Sequence, residues 1–351
     1  MDPSVLPTAR PAGSLALTCL SVRDETPSVR TFTFEASEDF PHEAGQAMTL
    51  ALPVDGETLY RTFSIASAPA QDRRFEMTIK AHPAGRATSW LHRTLKAGDI
   101  VLGRRPRGQF TLARRQAERI ALVSGGSGAT PLLSMLRHLA TVEPEADVAW
   151  FHAAHSREEI LFERELTRLQ SLMPHLSAAI TVGRGEPGWF GLKGRMTRRL
   201  LSVAVPDLAQ RDVFCCGPSP FMEEAKLIHA AEGGARESFH TETFRPAETP
   251  AAPLPEAEEA DRDGEGFELR CDGRLVTVRS HETILQACLR QGIVIACGCG
   301  QGMCGTCRIR KISGTVEMRH QGGLDPDEES NGLILACSTR LKSHAEVSLS
   351  S

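Results

Sequence analysis

No stretch of this chain approaches the ~18 consecutive apolar residues that a membrane-spanning helix needs, so no membrane span is expected. Charge of one sign is not in excess either. Lys and Arg number 40 against 44 Asp and Glu, a net of −4. That balance supports no binding to nucleic acid or to a membrane surface by bulk charge. The opening segment, MDPSVLPTARPAGS, lacks a basic region followed by an apolar core. An export signal is therefore not expected, and a cytoplasmic location is. No internal repeat is visible. The ten cysteines do not have the even scatter of a disulfide framework. In a reducing compartment, clustered cysteines read as metal ligands or redox groups.

What is present is an ordinary globular composition, 41% hydrophobic and 24% charged over 351 residues. That length suits two or three domains of ~100–200 residues. One segment, Pro246 to Gly264, reads PAETPAAPLPEAEEADRDG and has almost no large apolar residue. It reads as an extended, mobile linker. Before it, up to about Thr111, short alternating runs punctuated by turns (LALTCLSV, VRTFTFEA, AMTLALP, YRTFSIAS, FEMTIKAH, DIVLGRRP) predict an antiparallel barrel or sandwich. From Arg119 the pattern becomes strand then helix: RIALVSGG, TPLLSMLRHLA, DVAWFHAA, EEILFERELTRLQ, DVFCCG, PFMEEAKLIHAA. Such alternation predicts a parallel sheet flanked by helices. After the linker come short strands (FELRC, RLVTVRS) and one helix (HETILQACLRQG).

Four cysteines carry the sharpest signal. Cys299, Cys304 and Cys307 are spaced C-x4-C-x2-C, and Cys337 follows far downstream. That is the plant-type [2Fe–2S] spacing. Three thiolates in one loop can wrap two irons while a fourth arrives from another element. Gly300, Gly302 and Gly305 permit positive φ and let backbone amides approach the cluster. A four-cysteine zinc site is the alternative, although zinc knuckles favour paired C-x2-C units and only one close pair is present. Cys297 fits no usual loop spacing and reads as a spectator. Cys271 and Cys288 read as small core residues. With CGQGMCGTC at Cys299–Cys307, GTV at Gly314–Val316 and LILACSTR around Cys337, the module resembles plant-type ferredoxins. The resemblance implies a β-grasp fold and one-electron transfer. From residue 266 on, nine Asp and Glu stand against ten Lys and Arg, so the strong acidity of several plant ferredoxins is missing. A tethered ferredoxin needs less long-range steering.

RTFSIASAP at Arg61–Pro69 is by itself an unremarkable strand. With GQAMTL before it and IKAHPAGRATSWLHRTLKAGDIVLGRRPRGQF after it, the order resembles the ferredoxin–NADP reductase superfamily, whose flavin motif is R-x-Y-S. Phe63 stands where that family has Tyr, so an aromatic face is kept and a phenol hydrogen bond is lost. The resemblance implies Arg61 at a flavin phosphate and Thr62, Phe63 and Ser64 along the ring. Gly85, Arg86, Ala87 and Thr88, with Ser89 as a further candidate, match the second phosphate-binding stretch at a helix N-terminus.

LVSGGSGATPLLSML at Leu122–Leu136 lays out strand, glycine loop and helix, which places phosphates at a helix N-terminus. The G-x-G-x-x-G fingerprint of dehydrogenases is missing. The stretch resembles instead the G-G-x-G-x-T-P signature of the reductase superfamily, which implies Gly125, Gly126, Ser127, Gly128, Thr130 and Pro131 as cofactor-binding residues. CCGPSPFME at Cys215–Glu223 resembles the family's C-G-P segment, with Cys216 beside the nicotinamide and Gly217 and Pro218 shaping the turn. A buried strand-end cysteine is the plain alternative. HTETF at His240–Phe244 resembles the close of such domains, with Glu242 and Phe244 near the flavin. Ser64, Cys216 and Glu242 are thus the candidate catalytic residues. Arg157 could face a 2′-phosphate, but no basic cluster surrounds it, so NADH is expected over NADPH.

The expected architecture is multidomain α+β. An antiparallel β-barrel flavin domain spans 1–113 and an α/β parallel-sheet nicotinamide-nucleotide domain 114–245. The linker spans 246–264 and a β-grasp ferredoxin domain 265–351. Module order together with GRATSWLH resembles reductase components of Rieske-type oxygenases, above all those demethylating quaternary-ammonium compounds, and the reductase of the hybrid-cluster protein. It implies NAD(P)H oxidation through FAD, with FMN as the alternative, and a [2Fe–2S] cluster. The implied partner is a Rieske-type oxygenase; a hybrid-cluster protein, a diiron monooxygenase or a P450 are alternative acceptors. A monomer is expected. A protein of another class, using the cysteine loop as a zinc or redox switch, is the competing reading.

Overall fold

The computed structural model describes residues 14–70, 72–184, 188–244 and 266–349. The expected linker and the first dozen residues lie outside them. Residues 14–48, 63–105 and 110–244 fall in one compact unit, and 49–62, 106–109 and 266–349 in another.

The N-terminal part supplies β1 (Ser14–Thr26), β2 (Val29–Ala36), β3 (Ala47–Val54), β4 (Glu57–Ser64), β5 (Arg74–Lys80), α1 (Arg86–Thr94) and β6 (Ile100–Arg104). The six strands match the six alternating runs of the sequence. They form one sheet in the order β4-β3-β6-β1-β2-β5. Alternation explains which side chains go in. In β2, Phe32 and Phe34 are buried, and in β5 so are Phe75, Met77 and Ile79. Phe34 pairs with Phe75 across the strands, their rings 5.4 Å apart, and Phe40 stacks on Phe75 at 4.1 Å. A register shift between Cys19 and Ser21 bends β1. The expected barrel is thus a six-stranded antiparallel sheet. The chain leaving β4 is drawn onto β5 by Ala66 N–H donating to Glu76 O at 2.7 Å.

Next come β7 (Ile120–Gly125), α2 (Ala129–Val142), β8 (Val148–Ala154), α3 (Glu163–Leu172), β9 (Leu176–Val182), β10 (Leu192–Lys193), α4 (Arg198–Ala204), β11 (Asp212–Cys216), α5 (Ser219–Ala231) and β12 (Phe239–Glu242). The sheet is parallel in the order β10-β9-β8-β7-β11-β12. Both faces are covered, which is why β7 and β11 read as continuous buried runs. Ile120, Leu122, Trp150 and Phe214 face α2 and α3, while Ala121, Val123, Phe151 and Val213 pack with residues of α4 and α5. The chain moves outward from β7 in one direction and returns through β11 in the other. The crevice at the carboxyl ends of β7 and β11 is therefore a topological switch point, where open α/β sheets bind ligands.

One expected element differs. EEILFERELTRLQ is not a single helix. Arg157–Glu159 form one tight turn, and the helix starts only at Glu163. Ile160, Leu161 and Phe162 are all buried, with Phe162 at φ 62°. Three consecutive apolar residues cannot all face a core from one helix face, so the helix is delayed until Glu163, with Phe162 in the left-handed region.

The C-terminal module contains β13 (Phe267–Cys271), β14 (Arg274–Val278), α6 (Ile284–Arg290), β15 (Arg308–Ser313), β16 (Val316–Met318), α7 (Pro326–Ser330), β17 (Leu333–Leu335), β18 (Thr339–Leu341) and β19 (Ala345–Ser348). Its five-stranded sheet, β14-β13-β19-β15-β17, is mixed: only β13 and β19 run parallel. Helix α6 opens with a Thr283–Gln286 capping box and buries Ile284, Leu285, Ala287 and Cys288. Among the described residues no helix is long and apolar enough to cross a membrane.

Candidate functional site

The parallel sheet assembles the first constellation. Cys216 ends β11, beside Ser124 of β7 and Glu242 of β12 in the parallel register. Ser64 arrives from the end of β4. Its Oγ donates to Glu242 Oε2 at 2.9 Å, joining groups 178 positions apart. All three predicted catalytic residues are buried together. Glu242 Oε1 has no partner among the described residues. Burial pushes the Glu242 carboxyl up to about 8, with the Ser64 hydrogen bond opposing. Burial thus favours the protonated carboxyl far above the ordinary carboxylate range. Burial, and then the neighbouring Glu242, push the Cys216 thiol well above its ordinary value. Cys216 is thus a neutral, small wall residue and not an activated nucleophile.

The glycine loop sits on the same strand ends. A Cβ at Gly128 would stand 2.1 Å from Cys216 O, so only glycine allows this approach. Gly126 faces open space, and the first turn of α2 carries no side-chain cap. Its amides, and those of the glycine loop, suit an anion. Pro131 falls within that first turn. Thr130 turns its hydroxyl elsewhere, donating to Thr78 O at 3.3 Å. Gly217 and Pro218 form the turn into α5, as the motif implied, and Phe244 is partly exposed.

The hydroxyls of Thr62 in β4 and Thr49 in β3 bond at 2.8 Å, and the Arg61 guanidinium donates to Tyr60 O at 2.8 Å. Gly85 is the N-cap of α1, again with no side-chain cap bond. Arg86 is exposed and Ala87 buried, so the latter offers only its amide. Thr88 Oγ1 accepts from His82 N at 3.1 Å and donates to Gly85 O. The starts of α1 and α2, neither with a side-chain cap, suit a phosphate each.

The second constellation is the cysteine loop. Cys299 Sγ accepts from the amides of Gln301, Met303 and Cys304 at 3.3–3.4 Å. Gly302 N–H donates to Cys337 Sγ at 3.1 Å with the glycine at φ 72°. The sulfurs fall into two contacting groups, Cys299 with Cys304, and Cys307 with Cys337 and Cys297. Among the described residues no three His, Cys, Asp or Glu side chains converge on a single metal ion. The C-x4-C-x2-C thiols and Cys337, under a fan of N–H donors, fit a dinuclear iron cluster.

Sequence reading missed two groups here. Thr306 lies 3.1 Å from Cys304 Sγ; a hydroxyl inside the loop was its signal. His152 is wholly buried, bonded to Ser124 Oγ at 2.8 Å through Nδ1, and pushed down to about 4 by burial. Nothing in DVAWFHAA separates it from an ordinary strand residue. The demoted Cys297 is closer to the cluster site than its spacing implied, within hydrogen-bond reach of Cys307 and Cys337. With all four ligands present it has no coordination to supply. Cys297→Ser is expected to leave iron content and visible absorbance within about a tenth of the parent. Loss of the cluster in that variant means the ligand register is wrong.

Comparison with known proteins agrees with this geometry. Residues 18–112 match the oxidoreductase FAD-binding domain, 122–226 the oxidoreductase NAD-binding domain and 267–342 the 2Fe-2S iron-sulfur cluster binding domain. The chain is 34% identical over 344 residues to the glycine betaine monooxygenase reductase subunit of Chromohalobacter salexigens, covering 94% of each chain. It is 33% identical over 330 residues to the stachydrine N-demethylase reductase subunit Stc4 of Rhizobium meliloti, covering 92% of this chain and 93% of the relative. Among solved structures, phthalate dioxygenase reductase superposes with a TM-score of 0.60 at 25% identity, over 96% of this chain and 97% of that one. The chain therefore belongs to the oxidoreductase family of these reductase subunits, with an FAD-binding, an NAD-binding and a [2Fe–2S] domain on one polypeptide.

Proposed function

We propose that this chain is the reductase component of a two-part oxygenase system, drawing electrons from NADH and delivering them to a Rieske-type oxygenase that demethylates a quaternary-ammonium compound. The near full-length match to the glycine betaine monooxygenase reductase subunit carries this reading. When bound, FAD and the cluster supply the conversion of a two-electron donor into single electrons. The chain's own residues position and shield. The glycine loop Gly125–Gly128 and the uncapped start of α2 take the nicotinamide nucleotide's phosphates. Arg61 and the Gly85–Thr88 turn take those of the flavin. Glu242 offers its unpartnered Oε1 to the nicotinamide and holds Ser64 against the flavin edge. Cys216 closes the wall without adding charge. Cys299, Cys304, Cys307 and Cys337 hold iron. NADH is favoured because the sequence around Arg157, HAAHSREEILF, carries no basic cluster to hold a 2′-phosphate. The domain limits 1–113, 114–245, 246–264 and 265–351, a monomeric state and a cytoplasmic location belong to the same reading.

The test is spectroscopic. Purified protein is titrated with NADH anaerobically, then mixed with candidate oxygenases. Flavin and iron–sulfur bands that bleach with NADH, and recover only with a demethylating oxygenase, are the expected result. Recovery only with a hybrid-cluster protein, a diiron enzyme or a P450 reassigns the acceptor. A colourless, zinc-loaded protein overturns the reading.

A further inference from the structure

Helix α2 carries the glycine-loop seat at its start and an arginine among apolar residues, LLSMLRHLA. Arg137 is only 15% exposed in its side chain. Its Nε and Nη2 form a two-pronged bond to Glu165 of α3, at 2.7 and 2.8 Å. Its Nη1 turns the other way. It donates to Glu76 Oε2 of β5 at 2.8 Å and to Ala66 O at 3.0 Å. Ala66 lies two residues beyond Ser64. One guanidinium therefore joins helices α2 and α3 to β5 and to the segment that follows Ser64. A planar fork can do this, and an ammonium cannot.

Two more bonds leave the same face of α2. Ser134 Oγ donates to Ser67 O at 2.6 Å and Thr130 Oγ1 to Thr78 O at 3.3 Å. Positions 130, 134 and 137 follow the i, i+4, i+7 spacing of one helical stripe. All three land on 66–78, within one compact unit. At its N-terminus, the same helix presses Gly128 onto Cys216. The pose of α2 thus fixes the distance from the nicotinamide seat to Ser64.

Resting on the function proposed above, we propose that Arg137 is a positioning residue for electron entry: it keys α2 to the 66–76 segment and sets the approach of nicotinamide to flavin. A shift of ~1 Å in such an approach can cost on the order of 10²-fold in rate. Arg137→Lys keeps the charge and loses the fork. Its rate constant for flavin reduction by NADH, measured by stopped flow, is expected to fall at least tenfold. KM for NADH stays within threefold, and flavin content and dithionite reduction are unchanged. The long-wavelength nicotinamide–flavin charge-transfer absorbance weakens, which lost stability alone does not cause. Should the Lys variant not fold, Glu76→Gln removes the partner on β5 and is expected to act in the same direction. Hydrogen exchange of 66–80 and 129–142 in the flavin-free protein rises in either variant. A reduction rate within twofold of the parent, with an unchanged charge-transfer band, overturns the proposal. A parent protein that NADH does not reduce overturns the functional reading instead, and this inference with it.

Discussion

Cys304→Ser is expected to empty the iron–sulfur site while NADH still reduces the flavin at close to the parent rate. Cys304 contacts Cys299, receives the Cys299 amide at 3.3 Å and lies beside the Thr306 hydroxyl. It belongs to the first thiol pair, and the one spare thiol nearby, Cys297, reaches only the second pair. No sulfur therefore stands ready to replace it. Serine is a poor iron ligand in this setting because its hydroxyl does not ionise as a thiol does. Iron content should drop at least tenfold, with loss of the visible iron–sulfur bands and of the reduced cluster's paramagnetic signal. The Ser64–Cys216–Glu242 constellation lies in the other compact unit, so flavin absorbance should still bleach with NADH. Delivery of electrons to an oxygenase should vanish. Full iron content in this variant would falsify the ligand set.

Glu242→Gln is expected to flatten the pH dependence of both stability and flavin reduction. The Glu242 carboxyl moves from its ordinary 4.5 up to about 8 on folding. Between those values the native state holds a proton that the unfolded chain has released. The contribution of Glu242 to stability is thus full below pH 4.5, falls as pH rises toward about 8, and then levels. The slope inside that window is roughly 1.4 kcal/mol per pH unit. Glutamine keeps the acceptor for Ser64 and has no proton to lose. Near neutral pH the variant should exceed the parent by a few kcal/mol, on the order of 3. The check is urea unfolding followed by flavin fluorescence at a series of pH values. The same carboxyl should govern electron entry. A buried carboxylate without a counter-charge is costly, so the parent's flavin reduction should decline through pH 8 and the variant's should not. Equal pH slopes in the two proteins would show that Glu242 is ionised in the folded state.

Much of the architecture was readable from pattern. All six alternating runs before Thr111 became β1 to β6, because one buried face imposes a period of two. The cysteine loop was legible because ligand spacing is set by the cluster and not by tertiary context. The nucleotide sheet was read less fully. Three strands announced themselves, whereas β9, LSAAITV, and the two-residue β10 did not. Small alanines and half-covered edge positions give weak periodicity. The ILF break before α3 was hidden because its cause is tertiary, the burial of three neighbours at once. Within the site, Ser64, Cys216 and Glu242 could be named from motifs, but not the hydrogen bond that joins two of them. Arg137 escaped for the same reason, since its partners Glu76 and Glu165 sit in elements distant along the chain.

The Ser64–Glu242 bond has a temporal consequence. During synthesis the ribosome releases the β4 serine long before the glutamate that must cover it, 178 residues later. Contacts of such separation form late, since loop closure precedes any gain from them. A nascent, truncated or nicked chain can therefore fold its first sheet yet lack the finished electron entrance. Under the function proposed above, electron entry then waits on completion of β12, which supplies Glu242.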